Sequence, residues 1–263
     1  KHFSYSNVKV AMKREKVTFK NSRGLILSGA IELPENNSPK AFAIFSHCFT
    51  CNKNLINVKY ISEALSEKRI AVLRFDFAGL GDSQGNFAET DFSSNIDDLL
   101  YAAEFLTLNY EAPKLLVGHS LGGAASIVAA GQLASVKAVS LLGTPSTLDH
   151  IKRLFVNKME EITHYGSAMI DVAGRDIEIG RGFVDDLANH NIKKSLNRLN
   201  KPLLILHSPE DEMVSIDHAT EIFMAARHPK SFIALDGIDH LIKNIKDARY
   251  VGSLIGEWVM RYL

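Results

Sequence analysis

Lys114 to Ala130 reads KLLVGHSLGGAASIVAA, and the reading of this stretch decides the fold. Leu115-Leu116-Val117 is a short apolar run with the character of a buried strand. Ala124 to Ala130 is small and apolar, the composition of a tightly packed helix. Between them stands Gly118-His119-Ser120-Leu121-Gly122, a G-x-S-x-G pattern in a strand–turn–helix setting. A strand that runs straight into a helix forces its corner residue into a strained backbone conformation. Glycines two before and two after remove the side chains that would collide there. The Ser120 hydroxyl is then thrust out above the sheet edge. The N–H of Leu121 points to the same place and can bind an oxyanion, and the helix N-terminus adds partial positive charge. The plain alternative is a Gly/Ser turn with no chemistry. The nucleophile reading requires an acid and a base downstream, in the order Ser, Asp/Glu, His.

Both candidates follow late strands. After Leu203 to His207 (LLILH) comes Ser208-Pro209-Glu210-Asp211-Glu212-Met213-Val214. Asp211 is the expected acid, four residues past the strand and just before an apolar pair that can seat its loop; Glu210 is the rival. Its role is to orient an imidazole and stabilise the imidazolium. After Ser231 to Leu235 comes Asp236-Gly237-Ile238-Asp239-His240, and His240 is the expected general base. His207 is expected to be a structural hydrogen bonder. His119 packs beside the serine and is counted with the substrate-binding residues.

The loop His47-Cys48-Phe49-Thr50-Cys51-Asn52-Lys53-Asn54 is expected to supply the second oxyanion donor, the N–H of Phe49. Its C-x-x-C spacing before a helix can lower a thiol pKa, which invites a redox reading. Against that, a catalytic serine needs this loop rigid. A zinc site lacks the second Cys/His pair it would need. Asp76 and Asp82, in RFDFAGLGDSQG, precede the nucleophile and are expected to fix their loop by hydrogen bonds to turn N–H groups. GLGDSQG lacks the G-K-[ST] ending of a phosphate loop.

The 263 residues suffice for one large α/β domain or two small ones, and 46% hydrophobic with 23% charged content is ordinary for a globular protein. Lys+Arg and Asp+Glu both number 30, so no bulk field draws nucleic acid or an anionic membrane. No apolar run approaches a membrane span and no secretory signal is evident. Two cysteines argue against a disulfide-stapled secreted fold and for the cytoplasm. Residues 1–11, before Met12, are expected to be a leader or added residues.

Along the chain, Lys16 to Lys20 and Leu25 to Leu33 form a hairpin. Ala41 to Ser46 and Ile70 to Phe77 are runs typical of buried strands, and Val136 to Leu142 and Leu203 to His207 are further strands. Helices are expected over Ile56 to Glu67, Phe92 to Leu108 (capped by Ser93 or Ser94), Ile216 to Arg227 and Lys243 to Leu263. This alternation implies a mostly parallel sheet of eight strands, covered on both faces. Residues 147–199 break the rhythm and are too long for a crossover. They read as a cap, inserted between core segments 12–146 and 200–263. The cap holds a helix over Asp149 to Glu161, a hairpin (Ala168 to Asp171, Ala173-Gly174-Arg175, Asp176 to Ile179) and two short helical pieces. The first helix offers Ile151, Leu154, Phe155 and Met159 as an apolar face. Leu154, Phe155, Met213 and Val214 are the expected apolar substrate contacts.

SHCFTCNKN, RFDFAGLGDSQG, GHSLGG, HSPEDEMV and GIDH together resemble an α/β-hydrolase serine esterase over most of the chain. HCFTC, FSSN at Phe92 to Asn95 and ARHPKSF at Ala226 to Phe232 are similar to the hydrolase half of bifunctional α/β-hydrolase/OsmC-type proteins. The chain is also similar to cinnamoyl- and feruloyl-type esterases, whose loop reads His-Gly-Phe-Thr-Gly where Cys48 and Cys51 stand here. The resemblance implies Ser120, Asp211 and His240 as a triad, Phe49 and Leu121 as an oxyanion hole, and a cap that shapes the acyl pocket. The implied activity is a carboxylesterase, acting on short-acyl or aryl esters without metal or cofactor. A related amide, thioester or carbon–carbon bond hydrolase is the alternative, and a non-catalytic binding module the rival of another class. Fusion to or association with an OsmC-type domain and a homodimer are further expectations.

Overall fold

A computed structural model of the chain describes residues 13–172 and 174–263. The expected leader, Met12 and Ala173 of the cap hairpin lie outside them. The elements run in the order β1 (Lys13–Lys20), β2 (Ile26–Leu33), β3 (Ala41–Ser46), α1 (Ile56–Glu67), β4 (Ile70–Phe75), α2 (Phe92–Asn109), β5 (Leu115–His119), α3 (Leu121–Gln132) and β6 (Ala138–Leu142). Then come α4 (Asp149–Arg153), α5 (Met159–Tyr165), β7 (Ser167–Asp171), β8 (Asp176–Gly180), α6 (Arg181–Asp186) and α7 (Ile192–Arg198). The chain closes with β9 (Leu203–His207), α8 (Asp217–Ala225), β10 (Lys230–Ala234) and α9 (Ile245–Val259).

Eight strands form one sheet in the order β1-β2-β4-β3-β5-β6-β9-β10. β1 and β2 pair antiparallel, as do β2 and β4, and every other neighbour is parallel. The apolar runs occupy the middle: β3, β4, β5, β6 and β9 are buried along their whole length. β1 and β10 keep exposed positions, as edges should. Alternate side chains serve opposite faces. Phe42 and Ile44 join Leu99, Ala102, Ala124 and Ile127 of α2 and α3. Ala43 and Phe45 join Ile61, Leu65, Val251 and Ile255 of α1 and α9.

Register brings the functional loops to one rim. Strand order reverses between β3 and β5, the kind of switch point at which α/β sheets hold their ligands. Ser46 pairs with Gly118, His119 with Leu142, Leu142 with Leu206, and His207 with Ala234. The loops that leave these strand ends, carrying Phe49, Ser120, Asp211 and His240, are therefore neighbours.

α3 lies hard against the sheet, which is why the elbow is glycine-rich. A Cβ on Gly122 would overlap the carbonyl oxygens of His47 and Ser46. One on Gly118 would stand 2.5 Å from the Cα of Gly123. The overlapping atoms are backbone and cannot swing aside. Gly122→Ala is therefore expected to cost about 3 kcal/mol and to lower the thermal midpoint by roughly 6–12 °C; an unchanged midpoint would contradict this packing.

Several boundaries depart from expectation. The cap of α2 is Asp91, whose side chain accepts from Ser94 N, while Ser94 Oγ accepts from Asp91 N. Ser94 is thus the reciprocal member of a capping box, neither Ser93 nor Ser94 being the cap. The helix expected over Asp149 to Glu161 is broken into α4, a 3-10 turn (Val156–Lys158) and α5. Phe155 stands at the break and is fully buried. β6 starts at Ala138 because Val136 belongs to the preceding turn.

Candidate active site

The elbow is strained as its sequence demands. Ser120 has φ 54° and ψ −122°, a region that side chains rarely adopt. Its N–H donates to Leu142 O at 2.8 Å, and its carbonyl accepts from Gly123 N at 2.9 Å, so strand and helix over-determine the corner. Although Ser120 stands at the helix N-cap, among the described residues its hydroxyl makes no capping bond. Leu121 is the first residue of α3, so its N–H has no acceptor four residues earlier within the helix.

Asp211 is buried (8% exposed) and held from both sides. Its Oδ1 accepts from Met213 N at 2.9 Å and Val214 N at 2.8 Å, and its Oδ2 accepts from His240 Nδ1–H at 2.7 Å. Burial pushes its carboxyl up. The hydrogen bond and charge of His240, the Val214 N–H and His207 outweigh that and hold it below the ordinary carboxylate range. With Nδ1–H engaged by Asp211, Nε2 of His240 is the nitrogen able to accept a proton. Glu210 is exposed and turned elsewhere, accepting from Gly237 N at 3.0 Å and from Ser208 Oγ. His207 is the structural bonder expected, its Nε2–H donating to Val214 O at 2.7 Å and so bracing the acid loop.

Ser120 (6% exposed) and His240 (8%) line one solvent-open pocket with an empty volume of about 540 Å³. Phe49, Leu154, Met213 and Val214 line it as expected, joined by Ile151, Val172 and Leu241. Two expected substrate contacts lie outside that lining. Phe155 is fully buried in the core behind it. His119 is also fully buried, its Nε2–H donating to His240 O at 2.8 Å and its Nδ1 accepting from Asn57 Nδ2 at 3.2 Å. Burial and the neighbouring His240 push the His119 pKa down to about 3, so it stays neutral. It braces the backbone of His240 and does not face a substrate.

The loop after β3 is anchored by residues whose spacing alone did not reveal the task. Asp76 accepts from Lys53 N at 2.6 Å, Lys53 Nζ at 2.5 Å and Asp82 N at 2.9 Å. Asp76 thus meets the turn N–H groups expected of it, whereas the Asp82 carboxylate takes the Lys53 ammonium. Arg74 Nη1 donates to Lys53 O at 2.6 Å. His47 Nδ1–H donates to Cys48 O, and its Nε2 accepts from Phe77 N. Cys48 and Cys51 are joined as a disulfide with their Cα atoms 5.2 Å apart. The pair is therefore structural in this state: it closes a four-residue turn, also bonded from Cys51 N to Cys48 O, around Phe49 and Thr50. From between β7 and β8, Arg175 enters the pocket lining and donates from Nη1 to Thr50 O at 3.0 Å. No local signal marks Arg175, whose partner lies 125 residues away. Among the described residues, no group of three or more His, Cys, Asp or Glu is placed to hold a metal ion.

A mostly parallel eight-stranded sheet with a strained serine turn between a central strand and a helix defines the α/β-hydrolase fold. The model of the Alpha/beta hydrolase family matches residues 43–242, more than half of the sequence, and the chain belongs to that family. Among solved structures it is similar to the esterase domain of a Rhodothermus marinus protein, with 43% identity, a TM-score of 0.80, and 95% of this chain and 99% of that one covered. It shares its fold with Est1E from Butyrivibrio proteoclasticus bound to ferulic acid, with 19% identity, a TM-score of 0.76 and coverage of 94% and 98%. Among curated proteins it is 27% identical to the mitochondrial palmitoyl-protein thioesterase ABHD10 of Rattus norvegicus, over 78% of this chain and 70% of that protein. For the human counterpart, the match covers 55% of this chain and only 48% of the relative. Among the described residues, no helix is long and apolar enough to cross a membrane.

Proposed function

We propose that the protein is a serine hydrolase of carboxylic esters, with Ser120 as nucleophile, His240 as general base and Asp211 as the carboxylate that orients it. The observation that carries this reading is the shared pocket of Ser120 and His240, with Asp211 bonded to His240 from behind at 2.7 Å. His240 Nε2 takes the hydroxyl proton as Ser120 Oγ attacks the ester carbonyl. The negative charge that develops on the carbonyl oxygen rests on the N–H groups of Phe49 and Leu121, preorganised donors that need no rearrangement. Collapse expels the alcohol, which takes the proton from His240. Water, deprotonated by the same imidazole, then releases the acid from the acyl-enzyme.

Residues 147–199 act as a cap whose apolar wall, with Met213 and Val214, favours short-acyl or aryl esters. The Rhodothermus marinus relative, named an esterase domain, supports the same class. The test is turnover of p-nitrophenyl butyrate by the purified chain, and folded protein without turnover would refute the assignment. The name of the rat relative favours a second reading, thioester hydrolysis by the same triad. Leaving-group choice lies in pocket shape, so matched butyryl oxygen and sulfur esters separate the two. The cytoplasm is the location proposed from the low cysteine content, and the Cys48–Cys51 disulfide, a bond favoured by oxidising compartments, counts against it. Mitochondria, as in the rat relative's name, are the rival that cell fractionation tests.

A further inference from the structure

The Ser120 pocket is lined mainly by apolar side chains. Apart from the catalytic candidates and Arg175, its lining is made of aliphatic, aromatic, sulfur and hydroxyl groups, with no aspartate or glutamate among the described lining residues. Arg175 alone among the described lining residues carries a permanent charge. It stands between β7 and β8, at the tip of the cap hairpin, and no carboxylate pairs with it among the described residues. One N–H of its guanidinium donates to Thr50 O, next to Phe49, the proposed oxyanion donor. That bond ties the guanidinium to the loop of Phe49. A guanidinium has five donors, and one carbonyl engages a single donor.

We propose that Arg175 makes the mouth of this pocket an anion-binding subsite, so that the preferred substrates are esters whose acyl chain ends in a carboxylate. This rests on the esterase reading above and names its substrate class. The end of the substrate concerned follows from the proposed function: the guanidinium comes from residues 147–199, the wall assigned there to the acyl chain. Planar, bidentate donation matches a carboxylate; Arg175 is exposed, so the attraction is screened by salt and is read at low ionic strength. A neutral acyl chain gains nothing from the fork, so the effect is discrimination and not a uniform gain in rate.

The rival role for Arg175 is mechanical, a latch between the cap hairpin and the loop of Phe49. The two roles separate in a pair of substrates with six-carbon acyl chains, p-nitrophenyl hexanoate and p-nitrophenyl hydrogen adipate. The reading is the ratio of kcat/KM for the adipate monoester to that for the hexanoate, measured at low ionic strength. Arg175→Gln is expected to lower this ratio at least about tenfold, the worth of a charge-assisted hydrogen bond. Arg175→Lys, which keeps the charge and loses the fork, should recover part of it, and Arg175→Glu should fall below Gln. A ratio unchanged within twofold, with both esters slowed alike, would overturn the subsite and assign the latch. Wild-type protein that turns over neither ester would overturn the esterase reading itself, a different outcome from a lost preference.

Discussion

Ser120→Ala is expected to lower kcat/KM for p-nitrophenyl butyrate by about 10⁵–10⁶-fold, the loss seen when a triad nucleophile is removed. The thermal midpoint should stay close to that of the wild type. Ser120 is held at φ 54° by bonds from its backbone, to Leu142 O and from Gly123 N, and alanine keeps both. Alanine at this corner also bears the same backbone strain as serine. The hydroxyl makes no capping bond among the described residues, so its removal leaves α3 without a lost partner. A large kinetic loss with unchanged stability is the signature of a group retained for chemistry. Equal losses in rate and midpoint would mean that the serine is structural.

Asp211→Asn is expected to lower kcat by about 10⁴-fold at neutral pH, the scale of the equivalent change in a serine protease triad. Asp211 Oδ2 accepts from His240 Nδ1–H, which leaves Nε2 free of its proton and able to act as base. An amide that presents its NH₂ to Nδ1 imposes the other tautomer. It also removes the charge that stabilises the imidazolium. Because the Asp211 pKa is held below the ordinary carboxylate range, the carboxylate remains charged through the neutral and mildly acidic region. Glu210→Gln is the control. Its side chain bonds Gly237 N and Ser208 Oγ at the surface, and its loss should change kcat only a few-fold. If the Gln variant lost as much as the Asn variant, the acid would have been misassigned.

Much of this was legible because the decisive signals are local. The elbow declares itself: only glycine tolerates the approach of α3 to Ser46 and His47, so the spacing around Ser120 carries its own geometry. β3, β4, β5, β6 and β9 are fully buried and read as largely apolar runs, with Arg74 and Ser140 as polar residues inside them. Glu210, Asp211 and Glu212 are chemically alike in sequence. Position favoured Asp211, but only the turn that buries Asp211 and leaves Glu210 outside separates them physically.

What escaped was set by long-range packing. His119 adjoins the serine in sequence, yet strand alternation sends its side chain into the protein to meet Asn57 and the carbonyl of His240. The stretch Asp149 to Glu161 has continuous helical spacing and no proline or glycine to announce its break, which falls beside the fully buried Phe155. The C-x-x-C spacing was compatible with free thiols, a metal or a bond, and the turn geometry selects the bond. Arg175 sits in an ordinary hairpin turn, and nothing nearby in the chain predicts a partner in the loop of Phe49.

The central claim is that Ser120 is a nucleophile activated by His240. Its most direct measurement is reaction of the folded chain with a fluorophosphonate, followed by mass spectrometry of the digested product. The account predicts one adduct per chain, on the peptide that carries Ser120, with none in Ser120→Ala and strongly slowed labelling in a folded His240→Ala variant. Folded wild-type protein that stays unlabelled, or that carries its adduct on another residue, would contradict it.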